Sequence, residues 1–243
     1  MHRFFMEPQH FSGERVVLPA QIAHQIRNVL RLRPGAAILV LDNSGNEFEV
    51  LLRQVDRQQV VGEAVAKRPS PNEPSVQLTL YQALMKRDKF ECVLQKGTEI
   101  GVSRFVPIVT QRSLVQGIDI KASKQARWHK IITEAAEQSR RGRIPELHPP
   151  QTLAQALANQ PNQPGLIAWE EEKQLGLREG LVSVKRPSHI SLFIGPEGGF
   201  ASEEVEAAQS VGIRAITLGR RILRAETAAL VAAALILHEL DII

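Results

Sequence analysis

Three prolines within six residues, Pro69, Pro71 and Pro74, split this chain into two parts that cannot fold alike. Each fixes φ and removes a backbone donor, so Arg68-Pro69-Ser70-Pro71-Asn72-Glu73-Pro74 favours neither helix nor ladder pairing. Before this stretch the pattern is mostly β. Short apolar or alternating runs over 16–18, 36–41, 47–52 and 58–65 are separated by turn residues about every ten positions, which suits a small barrel or sandwich. One helix is expected over 20–30, with Ile22, Ile26, Val29 and Leu30 on its inner face.

After the prolines, strand and helix alternate. Strands are expected over 76–82, 105–109, 166–169, 189–194 and 215–218, and helices over 86–100, 124–139, 202–210 and 225–240. Ser202 is placed to cap the third helix, and Lys86, Arg87, Lys89 and Lys96 fall on the outer face of the first. This alternation implies an α/β domain with a mainly parallel sheet over 73–243, behind a β domain over 1–72.

Charge divides along the same line. Residues 73–150 carry 13 Lys/Arg against 8 Asp/Glu, residues 1–72 carry 9 against 7, and residues 151–243 carry 8 against 11. A basic front suits a polyanionic partner. Cys92 is the single cysteine, which fits a reducing cytoplasm. The first residues lack the apolar core of a signal peptide, and the ten-residue apolar run 228–237 is too short to span a bilayer, so no membrane association is expected. The seven histidines are scattered, and a lone cysteine cannot build a thiolate zinc site, so no metal is expected. Dinucleotide, Walker and G-x-S-x-G signatures are absent, which argues against an ordinary dehydrogenase, a P-loop enzyme and an α/β-hydrolase.

Two loops carry the chemical argument. Ile194-Gly195-Pro196-Glu197-Gly198-Gly199-Phe200 follows an apolar strand and precedes a helix, the position where open α/β sheets bind ligands. Leu218-Gly219-Arg220-Arg221-Ile222-Leu223-Arg224-Ala225-Glu226-Thr227-Ala228 also joins a strand end to a helix start, and its Ile222 and Leu223 are apolar where a plain loop is polar. Read alone, the first is also what a connecting turn looks like. Glu226 suits a helix dipole, and the arginines suit a solvated cluster.

Together the loops resemble the SPOUT methyltransferases, and within them the RsmE family of 16S rRNA uridine-N3 methyltransferases. The resemblance extends to Arg3-Phe4-Phe5, to His24 with Val29-Leu30-Arg31, to Lys96-Gly97-Thr98-Glu99-Ile100-Gly101-Val102, and to Glu134-Ala135-Ala136-Glu137-Gln138-Ser139 followed by Arg141. It implies an N-terminal PUA-like β-barrel that helps bind RNA. It also implies a C-terminal SPOUT domain with a deep trefoil knot, a homodimer, and S-adenosylmethionine held in the knot. The implied cofactor contacts are Ala168 and Trp169, then Ile194, Gly195, Pro196, Glu197, Gly198 and Gly199, then Leu218, Gly219, Ile222, Leu223 and Arg224. Ala225 departs from the Thr found in many relatives.

The implied reaction needs a nucleophilic uracil N3. Arg224 or backbone amides near the glycine loop are the candidates to stabilise charge on the uracil oxygens, and Glu226 or Glu197 the candidate proton acceptor. N3 lies on the Watson–Crick edge, so the base must be unpaired or flipped out. Candidates to hold the surrounding RNA of the 30S subunit are Arg3, Arg27, Arg31 and Arg33, then Lys86, Lys89, Lys96 and Arg112, then Arg140, Arg141 and Arg143. Methylation of another RNA position or a ribose 2′-OH, and a non-catalytic RNA-binding assembly role, remain open at this point.

Overall fold

The computed structural model describes residues 1–86, 88–115, 117–160, 164–182 and 187–241. The chain forms two units, Met1–Glu73 with Ala136–Ile144, and Pro74–Ala135 with Pro145–Ile243. The segment Ala136–Ile144, which the sequence reading keeps with the second domain, groups with the first.

The first unit contains β1 (Arg3–Phe5), β2 (Phe11–Ser12), β3 (Arg15–Val17), β4 (Ala37–Leu41), β5 (Asn46–Val55) and β6 (Val60–Pro69). They form one sheet in the order β1-β4-β5-β6-β3-β2, antiparallel except where β1 runs parallel to β4. β1 and β2 are its two ends, with no ladder joining them among the described residues. Val16, Ile38, Val40, Val50, Leu52 and Val60 are buried and form one core with Phe4 and Ile26. Pro69 is the last residue of β6, opposite Asn46, so the ladder reaches one proline further than expected. A strand end tolerates this, because the missing donor is not needed there.

The expected first helix begins as α1 (Ala20–His24) but continues as a π-helical turn over Gln25–Val29, with Leu30 N donating to Gln25 O at 2.9 Å. The wider turn breaks the 3.6-residue stripe. Ile26 stays buried, while Val29, expected inside, is 65% exposed.

Two carboxylates, Glu47 and Glu73, lock this unit through three ion pairs. Glu47 is 3% exposed, with Arg3 Nη1 at 2.9 Å and Arg68 Nε at 2.6 Å. Glu73 accepts from Arg141 Nη2 at 2.8 Å, from Gly142 N at 2.8 Å and from Arg143 N at 3.1 Å. Arg143 also donates to Ser44 O, at 2.6 Å.

The second unit holds β7 (Gln77–Ala83), β8 (Arg104–Val109), β9 (Glu146–Leu147), β10 (Gln151–Thr152), β11 (Gly165–Ala168), β12 (His189–Ile194) and β13 (Arg214–Ile216). All their pairings are parallel, in the order β10-β8-β7-β12-β11-β13, with β9 on β8. The helices are α2 (Lys89–Ile100), α3 (Ala122–Gln138), α4 (Leu153–Ala158), α5 (Leu177–Val182), α6 (Ser202–Ser210) and α7 (Ala225–Asp241). α2 starts three residues later than expected, and Arg87 lies outside the described residues. Among the described residues no helix is long and apolar enough to cross a membrane.

β12 is the central strand. Ile190, Leu192, Phe193 and Ile194 are at most 1% exposed, each contributing about 1.5–3 kcal/mol by burial. Such a nearly continuous apolar strand needs cover on both faces, which a parallel sheet between helices supplies. Phe193 stacks on Tyr81 of β7, with ring centroids 4.3 Å apart. β12 lies between β7 and β11, although β11 precedes it in the chain.

α6 begins at Ser202, so Ser202 is the first helical residue and not the cap. The cap residue is Ala201, which has no side-chain acceptor. Glu204 takes the role by accepting from Ala201 N at 3.0 Å.

The Glu47 pairing has a pH signature. Burial works against its charge, but hydrogen bonds and attraction from Arg68 and Arg3 outweigh that and hold its carboxyl below the ordinary value. Its contribution is complete above the unfolded value and is lost as pH falls through the lowered folded value. Glu47→Gln is expected to cost about 1–3 kcal/mol at pH 7, with the deficit shrinking as pH falls from the unfolded value through the lowered folded one. Calorimetric unfolding across that range checks it.

Candidate functional site

Because β11, β12 and β13 are adjacent and parallel, their carboxyl ends open on one edge of the sheet. Trp169 follows β11, Gly195 follows β12 and Thr217 follows β13. The segments beyond them line one cavity of about 810 Å³. Ala168, Trp169, Ile194, Gly195, Pro196, Glu197, Gly198, Gly199, Leu218, Gly219, Ile222, Leu223 and Arg224, the thirteen residues singled out from the sequence, all border it.

Local geometry explains the composition of the loops. Pro196 to Gly199 is a turn closed by Gly199 N donating to Pro196 O at 3.0 Å, and Gly199 has φ +68°. Gly195 is hemmed in: a Cβ there would lie 3.2 Å from Gly199 C and from the ring of the buried Phe200. Gly219, at φ +111°, faces open space on its missing-Cβ side. The third loop, after β13, is tied at its base to the segment before α5, where Thr217 N donates to Leu175 O at 2.9 Å. Ile222 is 86% exposed. Trp169 is half-buried, and its indole Nε1 is buried without a partner among the described residues.

The charged groups are distributed differently from the sequence reading. Arg224 is exposed, borders the cavity and makes no ion pair among the described residues. Glu226 does not border the cavity. Its carboxylate sits behind Lys89, 3.6 Å from Nζ. Lys89 does border the cavity, and its Nζ donates to Glu197 Oε1 at 3.3 Å. Glu170, Lys173, Arg220 and Arg221 complete the charged rim; the arginines lie within the expected Leu218–Arg224 stretch, whereas Glu170 and Lys173 were not expected. The apolar composition of the third loop was the signal for the arginines within it; nothing local marks Lys89 as a cavity residue.

Two of the basic candidates are not at the surface. Arg3 and Arg141 have side chains 9% and 4% exposed, spent on Glu47 and Glu73. Arg27 is half-buried and donates to Asp56 O. Arg31, Arg33, Lys86, Lys96, Arg112, Arg140 and Arg143 are exposed. Lys96 pairs with Glu99 at 2.9 Å, and Arg112 donates to Gly198 O at 3.1 Å, which ties it to the glycine loop. Among the described residues no three His, Cys, Asp or Glu side chains group to hold a metal ion.

The family model of the RNA methyltransferase domain matches residues 71–237. A ribosomal RNA small subunit methyltransferase E of Bacillus subtilis is 32% identical, the match covering 100% of this chain and 98% of the relative. One from Synechocystis is 32% identical over 96% of this chain and 76% of its own length. The crystal structure of a ribosomal RNA small subunit methyltransferase E from Neisseria gonorrhoeae, bound to S-adenosyl methionine, is 32% identical. It superposes with a TM-score of 0.85 over 97% of this chain and 96% of that one.

The crowding at Gly195 yields a stability prediction. Gly195→Val forces Gly199 and Phe200 to shift, at a cost of about 1–3 kcal/mol. Urea unfolding measures this as a lower midpoint with an unchanged slope.

Proposed function

The chain belongs to the ribosomal RNA small subunit methyltransferase E family, and from that premise we propose that it uses S-adenosylmethionine to methylate N3 of a uridine in 16S rRNA. The observation that carries this reading is the convergence of the thirteen expected residues on one cavity at the carboxyl ends of three adjacent parallel strands.

The cavity fits the methyl donor in size and chemistry. About 810 Å³ falls within the usual range for a nucleoside-sized ligand. Leu218, Ile222 and Leu223 offer an apolar wall, and Gly195, Gly198 and Gly219 let a ligand approach the backbone closely. Trp169 Nε1 is a buried donor in need of an acceptor. Glu170 suits the ammonium and sulfonium charges, and Lys173, Arg220 and Arg221 suit a carboxylate. The donor supplies its methyl group as an electrophilic sulfonium and leaves as S-adenosylhomocysteine. The protein's tasks are to hold the base in line and to offset charge developing on the uracil oxygens. Arg224 is available for the second task, being exposed at the cavity rim.

The finer fold reading goes with this one. The chain path that inserts β12 between β7 and β11 is read as the trefoil knot, an exception to unknotted folding. The six-stranded sheet is read as the PUA-like RNA-binding domain. The available phosphate contacts are Arg31, Arg33, Arg140 and Arg143 in the first unit and Lys86, Lys96 and Arg112 in the second. Arg3 and Arg141 drop out of that set because both are buried in ion pairs. A homodimer is supported by apolar side chains left exposed on α7, Val231 at 38% and Leu235 at 44%. The reaction belongs in the cytoplasm, where ribosomal RNA is made and Cys92 stays reduced.

Mass spectrometry of nucleosides from 16S rRNA tests the assignment. A strain lacking this protein should lose N3-methyluridine and regain it on complementation. Unchanged N3-methyluridine, or loss of a ribose-methylated nucleoside instead, would overturn the assignment.

A further inference from the structure

The mixed charges at the cavity form an ordered row. Glu226, on the first turn of α7, stands outside the cavity wall, and its Oε2 is buried with no hydrogen-bond partner among the described residues. Lys89, the first residue of α2, comes next, its Nζ 3.6 Å from that oxygen. Glu197 of the glycine loop comes last, 3.3 Å beyond Lys89 Nζ. Of these three, Lys89 and Glu197 border the cavity and Glu226 does not. A buried carboxylate oxygen whose nearest charged partner is a lysine serves to fix where that lysine stands. The cavity therefore presents a cation and a carboxylate side by side, close enough to meet neighbouring atoms of one planar base.

We infer that Lys89 and Glu197 are the catalytic pair that reads the uracil imide edge, and that Glu226 is the positioning residue behind Lys89. This rests on the uridine-N3 reading above. The imide edge presents a donor, N3–H, flanked by two carbonyl acceptors. Glu197 accepts the N3 proton, and Lys89 donates to the adjacent carbonyl oxygen, where negative charge collects as that proton leaves. The N3 lone pair forms the new bond to the methyl carbon, and the sulfur keeps the electron pair of the bond that breaks. Products are N3-methyluridine, S-adenosylhomocysteine and a protonated Glu197, which returns its proton to water. Cytosine offers a lone pair at N3, which the Glu197 carboxylate repels, so the same pair selects uridine. In this arrangement Glu226, expected from the sequence as a proton acceptor, acts only through Lys89.

The test uses the full-length protein, 30S subunits from the deletion strain and S-adenosylmethionine, with calorimetric binding of S-adenosylhomocysteine as a second readout. Lys89→Met is expected to lower kcat by about 10²–10³, and Lys89→Arg to restore most of it. Glu197→Gln is expected to lower kcat by about 10²–10⁴ and to abolish the fall in rate toward acid pH. Both variants should bind S-adenosylhomocysteine like the wild type. Glu226→Gln should lower kcat while keeping the acid limb, and should add nothing to Lys89→Met, because both act through one group. Wild-type kcat in Lys89→Met, an intact acid limb in Glu197→Gln, or loss of S-adenosylhomocysteine binding in either variant would overturn the inference. A wild-type protein that makes no N3-methyluridine would instead refute the function on which it rests.

Discussion

The parallel pairing of β12 with β7 on one side and β11 on the other is the constraint from which the site follows. Parallel strands send all their carboxyl ends to one edge, so the loops after β11, β12 and β13 meet whatever their separation in the chain. The strongly apolar sequence of β12 makes this pairing the favoured arrangement, because four nearly inaccessible side chains would be costly at a sheet edge. The order of strands then does chemical work. β12 lies between two strands that precede it in the chain, and the glycine loop it delivers lines the cavity together with the two flanking loops.

Charge is used in two distinct ways in this chain. Arg3 and Arg141 are withdrawn from the surface to hold Glu47 and Glu73, and this ties the Ala136–Ile144 segment to the first unit. Removing one partner of such a buried pair costs more than the pair adds, so these residues act as locks rather than as recognition groups. Arg31, Arg33, Lys86 and Lys96 remain exposed. A net charge alone does not distinguish the two uses. Lys89 belongs to neither, since two carboxylates keep it at the cavity wall.

The parts legible in the sequence are those set by local pattern. The 189–194 strand was readable residue for residue from its apolar run. The glycine loop was readable because a strand end, a turn and a helix start follow one another within a few residues. The π turn after α1 was not, because the stripe of Ile22, Ile26, Val29 and Leu30 fits an ordinary helix equally well. β10, of two residues, and α4 and α5, of six each, are too short to show a period. The fates of Arg3, Arg141 and Lys89 depend on partners 44 to 137 positions away, and no local signal carries that information.

The central claim is that the three loops together form the methyl-donor site. A crystal structure of this protein with S-adenosylhomocysteine tests it most directly. The account predicts the ligand in the cavity, in contact with all three loops. Well-ordered ligand bound elsewhere, or in contact with only one of the loops, would contradict it.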